Sequence, residues 1–227
     1  MIHIAHIEND MTDKFGIPRQ SGLVPEVISR VVFEPAFRNP DAVRGLEDFS
    51  HIWLIWEFDD ITGNPDAPGW SATVRPPKLG GNTRMGVFAT RSPNRPNPIG
   101  LSCVSLISVD ITPQGPVLTV SGADLRSGTA ILDIKPYLPY ADSKPDAKAG
   151  FTEHAHLSEL TISDPEGILD SLPEDKKKAV IPLLLQDPRP SYHNDPERIY
   201  GMRYGKYDIH FKVDDDLVII TDVTAFS

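Results

Sequence analysis

The stretch HIWLIWEF, His51 to Phe58, is dominated by β-branched and aromatic residues, a composition that suits a packed, pleated strand. Similar runs recur as LVPEVISRVVF (Leu23 to Phe33), MGVFAT (Met85 to Thr90), LSCVSLISV (Leu101 to Val109) and PVLTVSG (Pro116 to Gly122), with Pro or Gly in the gaps. Short strands punctuated in this way predict a mostly β sheet or barrel. One segment departs from the pattern. NPDAVRGLEDF, Asn39 to Phe49, predicts a short helix with Asn39 as its cap, Pro40 at its first position and Val43 and Leu46 three apart.

Near Ser143 to Gly150 small and charged residues replace apolar ones, which predicts a linker and divides the chain into a main domain, 1–145, and a C-terminal domain, 146–227. In the second part, Asp164 to Gln186 carries Ile168, Leu169, Leu172, Val180, Leu183 and Leu184 at broadly helical spacing, interrupted by Pro173 and Pro182. One or two short helices are expected there. Alternation in YGKYDIHFKV (Tyr204 to Val213) and LVIITDV (Leu217 to Val223) predicts a hairpin turned at Asp214 to Asp216. The C-terminal domain is therefore expected to be small and α+β.

The chain has 227 residues and a single cysteine, Cys103, enough length for a sizeable core and no means of forming an internal disulfide. MIHIAHIEND lacks the basic and apolar regions of a secretory signal, and no apolar run reaches the roughly 20 residues of a membrane span. A cytoplasmic protein with no membrane partner is expected. The net charge of -10 argues at face value against nucleic acid. Its distribution argues otherwise: between Asp66 and Asp110 there is no acidic residue, while Arg75, Lys78, Arg84, Arg91 and Arg95 give that window +5 and leave the rest at -15.

Those cations sit in RPPKLGGNTRMGVFATRSPNRPNPIGL, Arg75 to Leu101, with five prolines and four glycines. Proline fixes φ and glycine permits tight turns, so the mixture specifies a rigid, irregular loop. Guanidinium groups on such a loop present planar donors to phosphate or carboxylate at little ordering cost. The alternative is structural, a loop that braces a barrel mouth. GADLRSGTAILDIKPYLPYAD, Gly122 to Asp142, gathers Asp124, Asp133 and Asp142 with Lys135, Tyr137 and Tyr140. Proline-stiffened tyrosines suit a nucleobase pocket, although isolated tyrosines at strand ends are commonly half-buried packing groups. KFGIPRQSGL, Lys14 to Leu23, is another proline-ordered turn. Neither GxGxxG nor GxxxxGK is present, and the seven histidines show no metal-ligand spacing. No metal is expected.

Taken together these segments resemble the TsaA-like or TrmO family of tRNA (adenine-N6)-methyltransferases, which use S-adenosylmethionine to methylate threonylcarbamoyl-adenosine at position 37, beside the anticodon. The likeness rests on KFGIPRQ, DAVRGLEDFSHIWLIWEF, TVRPPKLGGNTRMGVFATRSPNRPNPIGLS and LDIKPYLPYAD, and resumes at QDPRPSY. It implies a single-sheet antiparallel β-barrel main domain, a homodimer, and the tRNA anticodon loop as partner. It also implies cofactor contacts at Pro18, Arg19 and Gln20, at Asp59 and Asp60, at Arg91 and Leu101, and at Asp124, Leu125, Arg126 and Ser127. Two departures stand out: Ser127-Gly128-Thr129-Ala130 replaces DGTP, and Glu8-Asn9-Asp10 replaces a serine-proline turn.

The accepting N6 of such a nucleoside is ureido-like and needs a proton acceptor, which a carboxylate can supply. Asp133 or Asp142 is expected to take that proton, Tyr137 or Tyr140 to stack on the base, and Lys135 to meet the carboxylate of the modification. Competing readings are a methyltransferase acting on another RNA or a small molecule, and a non-enzymatic nucleic-acid-binding β-barrel.

Overall fold

The computed structural model describes residues 1–58, 70–76, 79, 83–153, 160–190 and 195–226. Six strands close into an antiparallel barrel: β1 (Ala5–Glu8), β2 (Ile28–Phe33), β3 (His51–Glu57), β6 (Ile99–Thr112), β7 (Gly115–Ser121) and β8 (Ala130–Pro136), in the cyclic order β1-β2-β7-β6-β3-β8. Closure leaves no barrel edge unpaired. The short strands β4 (Thr73–Val74) and β5 (Met85–Gly86) pair separately.

The period-two rule of a strand fills the barrel. On β3, Ile52, Leu54 and Trp56 point inward, while His51, Trp53 and Ile55 face out. Ile7, Val31, Val104, Leu118 and Ile131 from the other five strands complete the packing. Fully buried Leu54 is worth roughly 2–5 kcal/mol against alanine at such a site. Trp56 fits only because residue 100 is glycine: a Cβ there would lie 2.2 Å from its ring.

The C-terminal part holds a sheet of order β10-β11-β12-β9, with β9 (Thr161–Ser163), β10 (Tyr200–Tyr204), β11 (Tyr207–Asp214) and β12 (Leu217–Ala225). The helix Glu174–Leu185 buries Ala179, Val180, Leu183 and Leu184 in the same core. That core also takes in Met11, Val24 and Val27 from the N-terminal third. Asp10 ties the two parts polar-side as well, through a 2.6 Å ion pair with Lys176 and a carbonyl that accepts the Gly205 N–H at 2.6 Å.

Three local expectations are revised. Asn39 to Phe49 forms two 3-10 turns, Pro40–Val43 and Leu46–Asp48. Gly45 at φ +83° separates them, although Asn39 does cap the first turn by accepting from the Asp41 N–H. Met85 to Thr90 is strand only at its first two residues and then turns at Val87–Ala89. Leu23 to Val27 is turn, and strand begins only at Ile28.

Candidate active site

The turn from Gly122 to Thr129 closes one end of the barrel between β7 and β8. Gly122, at φ +76°, is locked to the Lys14–Leu23 segment by the Gly22 N–H, which donates to its carbonyl at 2.8 Å. Asp124 lies in that turn and accepts from Ser102 Oγ at 2.5 Å, while Ser102 Oγ accepts from the Trp56 indole N–H at 3.0 Å. Burial pushes the Asp124 carboxyl above the usual carboxylate range, against the opposing pull of the Ser102 bond and the Arg91 charge. A largely buried acid that accepts from Ser102 is a candidate contact for a ligand's polar or cationic group.

Arg91 also donates to the Gln20 side-chain oxygen, and Gln20 donates to the Arg19 carbonyl. The structure thus brings Arg19, Gln20, Arg91 and Asp124 together from three distant stretches of chain. Pro18 is buried and orders the turn. Leu125 is 1% exposed, so only its main chain can face a ligand. Arg126 is half-buried. Ser127 Oγ accepts the Asn9 N–H at 3.2 Å. Asp59, Asp60 and the loop cation Lys78 lie outside the described residues.

Arg19, Gln20 and Arg91 line a cleft of about 1320 Å³ that also contains Arg75 and Arg84. No carboxylate occurs among its described lining residues. Part of the acid-free window of the sequence, with Arg75, Arg84 and Arg91, therefore lines one concave surface.

The base-side set lies on the barrel's outer face. Ile55 of β3 is the register partner of Leu101 on one side and of Asp133 on the other, so these three form a row about 10 Å wide at the usual strand spacing. Trp53 is flanked in the same way by Cys103 and Lys135. Asp133 and Lys135 form an ion pair at 2.7 Å. The Tyr137 ring sits 5.8 Å from Trp53 and 6.2 Å from His51. Tyr140 stands 85% exposed.

Asp142 reaches back to this face. One of its oxygens accepts the Leu138 N–H at 2.9 Å and the Trp53 indole N–H at 3.0 Å. Those two bonds, the Leu138 one first, hold its carboxyl below the usual range, which makes it a weaker proton acceptor than an unbonded carboxylate. Burial, and after it the Asp142 charge, push the Cys103 thiol up, so this cysteine is a poor nucleophile at neutral pH. Sequence reasoning missed Trp53, Trp56, Ser102 and Asn9. Each acts through partners 20 to 118 residues away, and only the strand period, which sends Trp53 outward, was available as a signal.

Among the described residues no group of three His, Cys, Asp or Glu is placed to hold a metal ion, and no helix is long and apolar enough to cross a membrane.

Comparison with known proteins finds relatives along most of the chain. Residues 6–143 match the model described as the tRNA-methyltransferase O N-terminal domain, and residues 166–226 match the TrmO C-terminal domain. The chain is 39% identical over 220 residues to a tRNA (adenine(37)-N6)-methyltransferase of Escherichia coli (strain K12), covering 93% of this chain and 92% of that protein. It is 38% identical over 230 residues to a putative S-adenosylmethionine-dependent methyltransferase of Pseudomonas aeruginosa, covering 98% and 96%. A crystal structure of TrmO from Pseudomonas aeruginosa has a TM-score of 0.77 at 32% identity and covers 99% of this chain and 95% of that one.

Proposed function

The chain belongs to the tRNA-methyltransferase O family of S-adenosylmethionine-dependent tRNA (adenine-N6)-methyltransferases, and on that premise we propose that it methylates N6 of threonylcarbamoyl-adenosine at position 37 of tRNA. The observation that carries the reading is the Leu101–Ile55–Asp133 row, which sets a residue of the cofactor side and an acid of the base side two strands apart on one face. In this reading residues 1–145 are the methyltransferase domain and 146–227 the small C-terminal domain. In the same reading the protein works in the cytoplasm as a homodimer, as the family resemblance implies.

The residues fit the cofactor. Asp124 and Arg91, close enough for the Arg91 charge to act on the Asp124 carboxyl, offer one anion and one cation, the complement of an amino-acid zwitterion, and Gln20 and the main chain of Leu125 to Ser127 add polar groups. When bound, S-adenosylmethionine supplies a methyl group already activated on sulfur. The protein's contribution is then to position the acceptor and exclude water. Asp133, in one row with Ile55 and Leu101, accepts the N6 proton, while the Leu138 and Trp53 N–H bonds that hold the Asp142 carboxyl low make Asp142 the weaker acceptor. Tyr137, braced against Trp53 and His51, is the stacking residue in preference to the solvent-facing Tyr140. Lys135 neutralises Asp133 at rest and is released to the carboxylate of the modification. Nucleoside mass spectrometry of tRNA from cells with and without the gene tests the assignment. Loss of N6-methylated threonylcarbamoyl-adenosine is the expected result, and an unchanged level refutes it.

A further inference from the structure

Phe88 is 71% exposed, yet its ring is contacted by two neighbouring side chains. Arg95 holds the turn beneath it, its guanidinium donating to the carbonyls of Thr90 at 2.7 Å and Val87 at 3.3 Å. The same guanidinium lies 5.6 Å from the Phe88 ring centre. Trp70 stacks beside it, with ring centres 6.4 Å apart and planes 22° from parallel. The turn itself is pinned by the Val87 N–H, which donates to the Ala72 carbonyl at 3.0 Å.

Leaving a large apolar ring in water forfeits the benefit of burying it, and Trp70 and Arg95 contact this ring without covering it. Phe88 lies on the wall of the cationic cleft, next to exposed Arg75 and Arg84. Flat aromatic surface beside guanidinium groups, without a competing carboxylate, matches the chemistry of single-stranded nucleic acid: bases to stack and phosphates to neutralise. An apolar protein partner would have no use for the arginines.

We propose that Phe88 is a preassembled stacking platform for an unpaired RNA base of the substrate loop, with Arg75 and Arg84 holding the phosphates beside that base. This rests on the tRNA reading above. None of the described residues lining the cleft belongs to β3 or β8, and the base the platform takes is, on this proposal, a different nucleotide from the one that is methylated. Its role is to hold the loop open and in register.

The test uses the full chain and a fluorescent anticodon stem-loop RNA, with affinity followed by anisotropy. Phe88→Ala is expected to weaken binding roughly tenfold, at the low end of what one base–aromatic stack provides, whereas Phe88→Trp keeps it. The slope of log affinity against log salt stays unchanged in Phe88→Ala but falls by about one in Arg84→Ala. In a series of abasic RNAs, one loop position weakens the wild type by the same factor and has no further effect on Phe88→Ala. Unchanged RNA affinity in Phe88→Ala, with wild-type binding intact, overturns the platform alone. Additive losses at every abasic position overturn it too, as does a shift of Phe88→Ala to a smaller species in sedimentation, which would assign the ring to a second copy of the chain. Failure of the wild type to bind the RNA overturns the tRNA reading as well.

Discussion

The backbone N–H of Asn9 donates to Ser127 Oγ at 3.2 Å, so the Glu8–Asp10 segment and the turn at Ser127 meet in one contact. The Asn9 side chain adds to it, donating to Ser29 Oγ at 3.1 Å and the Leu125 carbonyl at 2.9 Å and accepting from the Met11 N–H at 2.9 Å. Together these bonds fix the Asp124–Ser127 turn against the end of β1. Asn9→Ala strands the Leu125 carbonyl, a loss of about 1–3 kcal/mol for a buried acceptor. A lower melting temperature and weaker calorimetric binding of S-adenosylmethionine are expected. Ser127→Asp should preserve both, since a carboxylate accepts the same N–H more strongly.

Asp124 gives the apo protein a defined pH response. Its carboxyl is raised by burial, so the fold favours the protonated form. That contribution is complete below the ordinary carboxylate value of about 4 and is lost as pH rises through the raised value. Melting curves of the apo protein should show this loss, and Asp124→Asn should flatten it while weakening cofactor binding. Equal pH dependence in the two proteins would show that Asp124 is not the group responsible.

Asp133 and Asp142 should separate cleanly. With Asp133 as proton acceptor, Asp133→Asn lowers single-turnover methylation by about 10²- to 10⁴-fold. Asp142→Asn keeps an oxygen for the Leu138 and Trp53 N–H groups and should cost a few-fold at most. A reversal of that order would transfer the role to Asp142.

Gly205 tests the seam between the barrel and the C-terminal sheet. It sits at φ +59°, and a Cβ there would lie 2.7 Å from Asp10 Oδ1, the side chain paired with Lys176. Gly205→Ala combines left-handed strain with that clash and should destabilise by about 1–3 kcal/mol in urea unfolding. Methyl transfer measured well below the midpoint should be nearly unaffected, because the change lies at the seam.

The barrel was legible where strands carry a simple signal. HIWLIWEF and LSCVSLISV became β3 and the middle of β6, because inward positions on both are apolar or small. Prediction failed where backbone rather than side-chain pattern decides: Gly45 splits the expected helix at 39–49, and the Arg95 contacts turn the chain after Met85–Gly86. Much the same division holds for the site. The acid-free window announced a cationic surface, and part of it lines the cleft. The chain from Trp56 through Ser102 to Asp124 was invisible, since a serine and a tryptophan inside hydrophobic strands look like core filling until the register brings them together. Short-range spacing cannot report a bond between residues 118 apart, as at Asn9 and Ser127.

The most direct measurement is nucleoside mass spectrometry of purified tRNA that carries threonylcarbamoyl-adenosine, incubated with this protein and methyl-labelled S-adenosylmethionine. The account predicts label on N6 of that nucleoside at position 37 and its loss in Asp133→Asn. Label on any other nucleoside, or none despite bound cofactor, would contradict it.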